Sequence, residues 1–452
     1  MLHLVIIGGS DAGISAALRA RELAAETRVT LVVADRYPNF SICGLPFYLS
    51  GEIKDWRTLA HRTVDDIREH GIDLLLEHQA VAIQADRKQI TVADRHGQQR
   101  QLAYDKLVVA TGATSAVPDI AGTDQSGVFF LRWLQDSFAM QKYLAEKDPA
   151  SALIVGAGYI GMEMADALTY RGLKVTVAEY APTVLTTLDP DLGEMVKKVL
   201  NKHGVDVLTG IGVNEISPAG DKLIVTDSQH NRIETDTVLI AAGSRPRTDL
   251  ALDAGIATGF AGAIKVNRRM ETNLPDIYAA GDCVETWHHI IEKPTYLPLG
   301  TTAHKQGRVA GENALGGQRR FAGSLGTQVV KIFDQVAART GLRDSEARQA
   351  GFEPLSIDFE TWDHKVYYPD ARPLHIRLTG DRRSHRLLGA QMLGSYGTEV
   401  SKRIDVFATA LFHRMSIESL NDLDLSYTPP LSSPWDPVQM SAQQWMRSVK
   451  NS

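Results

Sequence analysis

One device occurs twice in this chain and limits what it can fold into: a short apolar strand that runs into a glycine-rich turn and opens a helix. The complete copy is Ala152-Leu153-Ile154-Val155-Gly156-Ala157-Gly158-Tyr159-Ile160-Gly161. A helix is predicted over 162–171, then a strand over 175–179 that ends in Glu179. Such glycines let the backbone approach a pyrophosphate at the positive end of a helix, and an acid about 20 residues on accepts ribose hydroxyls. All three glycines and both flanking elements are in place, so dinucleotide binding is expected rather than a plain tight turn. Glu179 would accept a ribose 2′-hydroxyl and repel a 2′-phosphate. No arginine follows it directly, so NADH is expected over NADPH.

The other copy comes first in the chain. Leu4 to Ile7 is a strand, Gly8-Gly9-Ser10-Asp11-Ala12-Gly13 a turn, 14–23 a helix and 29–33 a strand ending near Asp35. Ser10 replaces the middle glycine, but the position between strand and helix, with the acid in place, again points to a nucleotide. Each unit is closed by a strand that ends in a glycine, at Thr111-Gly112 and at Gly243. A third strand-to-loop element ends in Gly281-Asp282, where the Asp can bond a sugar-like chain or backbone near a pyrophosphate. This predicts an α/β fold with two Rossmann-like domains, the second nested in the first: 1–112 with 245–322, and 113–244. Residues 322–326 read as a linker. Strands expected at 329–333, 355–359, 375–378 and 387–392, with a helix at 403–411, make 327–452 a separate α/β domain without a nucleotide motif.

Composition narrows the function. At 452 residues the chain holds several domains. A net charge of −6 argues against a nucleic-acid binder, and no apolar run has membrane-spanning length. The start, Met1-Leu2-His3-Leu4, reads as an immediate strand and not as a signal peptide. Two distant cysteines form no disulfide framework, so a cytoplasmic setting is expected. His288, His289 and His304 lack the spacing that completes a metal site, and no metal is expected. Cys283 reads as a packed residue. Cys43 is different: Ser41-Ile42-Cys43-Gly44-Leu45-Pro46 is a poor core segment and an expected helix start, which suits a reactive thiol with a depressed pKa.

With two dinucleotide folds, the Gly281-Asp282 loop and Cys43, the chain resembles the two-dinucleotide-domain flavoprotein disulfide reductases along its whole length. The resemblance implies FAD in the first fold, NAD(P)H in the second and a homodimer formed through the third. The thiol reductases of that family carry a second cysteine five positions after the first; here that place is Tyr48. Their C-terminal His-x-x-x-x-Glu pair is also missing. The single-cysteine subgroup is more similar: coenzyme A-disulfide reductases, persulfide or polysulfide reductases, NADH oxidases and NADH peroxidases. Lys365-Val366-Tyr367-Tyr368-Pro369 and the run from Tyr427-Thr428-Pro429-Pro430 to Ser432-Ser433 resemble segments of the coenzyme A-disulfide branch. Oxidases and peroxidases carry a histidine about where Asp11 stands. Ile42 and Trp435 depart from the Asn and Lys usual in the coenzyme A branch, while Arg19 and Arg21 remain as basic residues on the first helix.

The resemblance implies site residues in four groups. FAD would contact Gly8, Gly9, Gly13, Asp35, Arg36, Val81, Thr111, Gly112, Arg132, Gly281, Asp282 and Ala303. NADH would contact Gly156, Gly158, Tyr159, Ile160, Gly161, Glu163, Glu179 and Gly243, with Tyr159 moving aside for the nicotinamide; Glu163 reads equally as a solvated helix residue. Ser15, Arg19, Asn39, Ser41 and His304 would surround the substrate. Cys43 would be the redox centre, with Tyr427, together with Tyr367 or Tyr368, hydrogen-bonding the leaving thiolate or donating a proton to it, Tyr427 from the partner subunit. The implied activity is NADH-dependent reduction of a small disulfide, persulfide or polysulfide. Two alternatives stand beside it: an NADH oxidase or peroxidase cycling Cys43 through a sulfenate, and an FAD-containing redox sensor whose dimer domain is the output surface.

Overall fold

The computed structural model describes residues 1–451. Its first sheet runs Ile277–Ala279, Lys106–Val109, His3–Ile7, Arg28–Val32, Ile72–Leu75, every pairing parallel. The second repeats that order: Val128–Phe130, Thr237–Ile240, Ser151–Val155, Lys174–Glu179, Asp206–Thr209, again parallel throughout. The central strands are unbroken apolar runs because layers cover both faces; Leu4 to Ile7 and Ala152 to Val155 are all buried. Each sheet carries an antiparallel meander inserted before its closing strand, at 78–103 in the first and 213–235 in the second.

The chain leaves the first unit at Ala113–Ser115 and returns at Ser244–Pro246. These two strands pair antiparallel, so the second unit hangs from a two-stranded stalk. The helices after the glycine turns begin earlier than the spacing predicts, at Asp11–Leu23 and Tyr159–Tyr170. The reason is geometric: Ser10 and Gly158 are the capping positions, so the end of each glycine motif already forms the first helical turn.

Helix Gly300–Ala314 packs closely on Asp11–Leu23. A side chain at Gly307 would come within 2.1 Å of the Ala12 carbonyl, so glycine permits the approach that sets Ala303 and His304 beside the first turn. The C-terminal domain is an antiparallel sheet, Gln328–Ile332, Gln335–Gly341, Leu387–Ser395, Pro373–Asp381, Pro354–Trp362, backed by Val400–Phe412 and Pro437–Lys450. Trp445 and Phe407 fill its core. The 322–326 stretch is an ordered crossing: Ser324 N donates to Trp287 O, and His289 N to Ser324 O.

Candidate active site

Cys43 sits in a single tight turn, Ile42–Gly44, that feeds the short helix Leu45–Ser50, with Pro46 in its first turn. Aromatic packing anchors this segment. Tyr37, Trp56 and Phe138 meet edge-to-face with centroids 5.1 to 5.7 Å apart, and Phe40 joins them. Tyr48, in the place of a second thiol, packs its ring on Phe138. Ser41 N donates to Leu59 O. Helix Leu45–Ser50 lies against Tyr159–Tyr170, which brings Glu163 of the second nucleotide fold to Cys43 of the first.

The Cys43 side chain is exposed, while Cys283 is buried with its thiol directed at the Ala280 and Val109 carbonyls. The expected depression of the Cys43 pKa is overturned. The protein around the sulfur, then the charges of Glu163 and Asp11, push the thiol up, and Arg132 only partly offsets them. The turn and the short helix do not outweigh that desolvation and the nearby carboxylates, Glu163, Asp11 and Asp282. Glu163 is not a solvated helix residue either: burial raises its carboxyl to about 7.

Four predicted substrate residues lie about the first glycine turn and the segment that carries Cys43. His304 Nδ1 lies 2.8 Å from Ser15 Oγ, and its Nε2 lies 3.4 Å from Asp11 Oδ1. Asn39 is 2% exposed with a left-handed backbone, φ 60°; its N–H donates to Gly9 O and its carbonyl accepts from His61 N. Neither atom of its side-chain amide has a partner. Ser41 is half-buried in the same loop and caps the Ile42–Gly44 turn. The Arg19 guanidinium donates twice to Glu312, at 2.9 and 2.7 Å, and pairs with Glu22 at 2.8 Å, so it ties the first helix to Gly300–Ala314.

The glycine cradles fit dinucleotides. A Cβ on Gly13 would lie 1.8 Å from Gly8 O, and one on Gly161 2.0 Å from Gly156 O, so only glycine lets these helix starts meet the strand ends. The buried, unpaired Asn39 amide and Arg132 Nε offer hydrogen bonds beside the first cradle. Asp35 accepts from Tyr37 N at 2.7 Å and borders a cavity of about 390 Å³ lined also by Arg36, Glu77, Gln135 and Phe138. Val81 is different: it is exposed, at a bulge in its strand, outside the cavity lining. Arg132 Nη2 donates to Asp282 at 2.7 Å. Thr111 Oγ1 donates to Arg247 O, and Ala303 is buried facing Gly281. Gly112, Gly243 and Gly281 all have left-handed φ values, of 70°, 101° and 91°. In the second cradle Glu179 accepts from Ala157 N and Ala181 N, and Ile160 packs on the core.

Tyr367, Tyr368 and Tyr427 are not at Cys43 in this chain. They lie on exposed loops of the C-terminal domain, where Tyr427 bonds Tyr367 and Lys365 N donates to Pro429 O. Sequence reasoning missed Gln135 and Phe138, whose helix carries no glycine signal. It also missed Tyr296, whose hydroxyl donates to Asp282 O. Among the described residues no cluster of His, Cys, Asp and Glu could hold a metal, and no helix is long and apolar enough to cross a membrane.

This is the architecture of a two-fold nucleotide-dependent oxidoreductase with a thiol between its folds. The chain belongs to the pyridine nucleotide-disulphide oxidoreductases: residues 2–307 match the family model of that description, and 327–437 match the family's dimerisation domain. Membership implies use of FAD and NAD(P)H. Among individual proteins, the chain is 33% identical to an NADH oxidase of Methanocaldococcus jannaschii over 452 residues, all of both chains. It is 32% identical to an NAD(P)H coenzyme A polysulfide/persulfide reductase of Pyrococcus horikoshii, over 97% of each chain. The crystal structure of reduced Bacillus anthracis CoADR-RHD superposes with a TM-score of 0.96 at 34% identity, over 99% of this chain and 81% of that one.

Proposed function

We propose that this protein is an NADH-dependent flavoprotein reductase in which Cys43 reduces a low-molecular-weight disulfide, persulfide or polysulfide, in the manner of a coenzyme A-disulfide reductase. The observation that carries the reading is the placement of one exposed thiol between the two nucleotide cradles, beside Glu163 from the nicotinamide side. In this reading 1–112 with 245–322 hold FAD, 113–244 hold NADH and 327–452 form a homodimer. The first cradle, Asp35, Asn39, Arg132 and Asp282 hold the flavin nucleotide. The second cradle and Glu179 hold NADH, and the Glu179 carboxylate disfavours a 2′-phosphate.

Bound FAD supplies the relay of an electron pair from NADH to sulfur. The Cys43 thiolate attacks one sulfur of R–S–S–R′, forms a mixed disulfide and releases R′S⁻. The electron pair then breaks that mixed disulfide, which releases RS⁻ and restores the Cys43 thiolate. Each released thiolate takes a proton, and in this reading Tyr427 of the partner subunit, with Tyr367 or Tyr368, donates it. Ser15, Ser41 and His304 line the approach to the sulfur. A reducing cytoplasm suits a chain whose chemistry needs a free thiol.

A second reading is supported by the Methanocaldococcus relative's name: oxygen or peroxide reduction through a Cys43 sulfenate. The test is NADH consumption by the FAD-loaded enzyme against coenzyme A disulfide, glutathione disulfide, polysulfide and oxygen. Sulfur acceptors are expected to outpace oxygen. Turnover with oxygen alone would overturn the reductase reading in favour of the oxidase.

A further inference from the structure

The loop that follows the second nucleotide strand is gripped from outside its own domain. Leu185 is a buried leucine in the left-handed region, φ 46°, a conformation that costs bulky residues energy and persists only where neighbours enforce it. Its N–H donates to Ala157 O in the glycine turn, and Leu188 N donates back to Leu185 O. The next three carbonyls all point at the C-terminal sheet domain. Arg343 Nη1 donates to Thr186 O at 2.7 Å and to Leu188 O at 3.0 Å, and Arg339 Nη1 donates to Thr187 O at 2.7 Å. Glu346 ties the two guanidiniums together, at 2.8 Å to Arg339 Nη2 and 3.0 Å to Arg343 Nη2. The grip continues one residue on, where Asp189 N donates to the Gln391 side chain.

The middle residue of this loop touches the nicotinamide side. The Thr187 hydroxyl lies 3.4 Å from the Tyr159 hydroxyl, and Arg339 is near enough for its charge to act on that phenol. We infer that Arg339 and Arg343 are positioning residues for Tyr159, holding the strained 185–188 loop as a latch that fixes where the Tyr159 ring rests. The inference builds on the proposed role of Tyr159 as the group that yields to the nicotinamide. It gives the C-terminal sheet a part in hydride entry as well as in assembly. The Glu346 brace holds across the working pH range. Burial alone would raise this carboxyl, but the Arg339 charge and hydrogen bond, with help from Arg343, bring it down to about 2.

The test places 3-fluorotyrosine at position 159 of the FAD-loaded enzyme and compares its fluorine resonance in wild type, Arg343→Ala and Thr187→Val. Both variants are expected to shift or broaden it, while 3-fluorotyrosine at exposed position 180 stays unchanged. Thr187→Val exchanges only the hydroxyl for a methyl group and keeps the test alive should Arg343→Ala fold poorly. A resonance at 159 unmoved in Thr187→Val overturns the latch. Rapid-mixing reduction of the flavin by NADH is the second arm. Groups in one hydrogen-bond network couple strongly enough to change that rate by about fivefold, with the reaction of reduced Cys43 with disulfide unaltered. If the resonance moves and the reduction rate does not, the latch stands and the gating role of Tyr159 falls.

Discussion

At the scale of single residues the site turns on the neighbours of Cys43. A nucleophilic thiol needs its thiolate, and here the protein packed around an otherwise accessible sulfur, together with the Glu163 and Asp11 charges, opposes it. Replacing Glu163 by Gln removes one of those charges. The pH profile of Cys43 alkylation by iodoacetamide is therefore expected to move to lower pH in that variant; an unchanged or raised profile would separate the two groups. Stability carries the same signature. The Glu163 carboxyl is raised from 4.5 to about 7 in the folded protein, so its favourable contribution is full below 4.5 and is lost as pH rises through 7. Urea unfolding is expected to show Glu163→Gln more stable than wild type at pH 8, by at most roughly 3 kcal/mol, and near parity at pH 5. Asn39 shows what sequence does not reveal. Its identity is ordinary, and only the fold shows that its amide is buried without a partner beside the first glycine turn.

At the scale of elements, the two strand–turn–helix units are the proposed nucleotide cradles, and they were the part of the sequence easiest to read. A methyl group on Gly161 would meet the Gly156 carbonyl at 2.0 Å. Gly161→Ala is therefore expected to weaken NADH binding by more than about tenfold through a displaced helix start, with flavin content unchanged. Equilibrium titration with NADH and the flavin-to-protein absorbance ratio check both halves. Strands covered on both faces showed themselves as apolar runs, as at Leu4 to Ile7. Gln99–Ala103 did not, because it is mostly exposed and polar. Gln335–Gly341 is fully buried along most of its length, yet its Ala, Arg, Thr and Gly residues give no apolar run. The helix Pro437–Lys450 hides its Trp445 stripe among glutamines and serines. Contacts between distant segments left no trace in the periodicity. The Arg339 bond to Thr187 spans 152 residues, and the Arg132 bond to Asp282 spans 150.

At the scale of the whole molecule, the nested arrangement sets one thiol of the first fold beside the helix that opens the second. The third domain contributes twice, through Tyr427 in the proposed dimer and through Arg339 and Arg343, which hold the 185–188 loop. The nesting itself was legible as a duplicated motif with matching strand ends. The approach of helix Leu45–Ser50 to helix Tyr159–Tyr170, which makes the site, was not, since it depends on how the two folds pack. Electrons are expected to reach a sulfur acceptor only through Cys43. The direct measurement follows the FAD-loaded Cys43→Ser enzyme in two half-reactions. Flavin reduction by NADH is expected to persist near the wild-type rate, while disulfide- or polysulfide-dependent NADH oxidation falls by at least about 10³-fold, as for loss of a nucleophile. Sulfur-dependent turnover undiminished in Cys43→Ser would contradict the account.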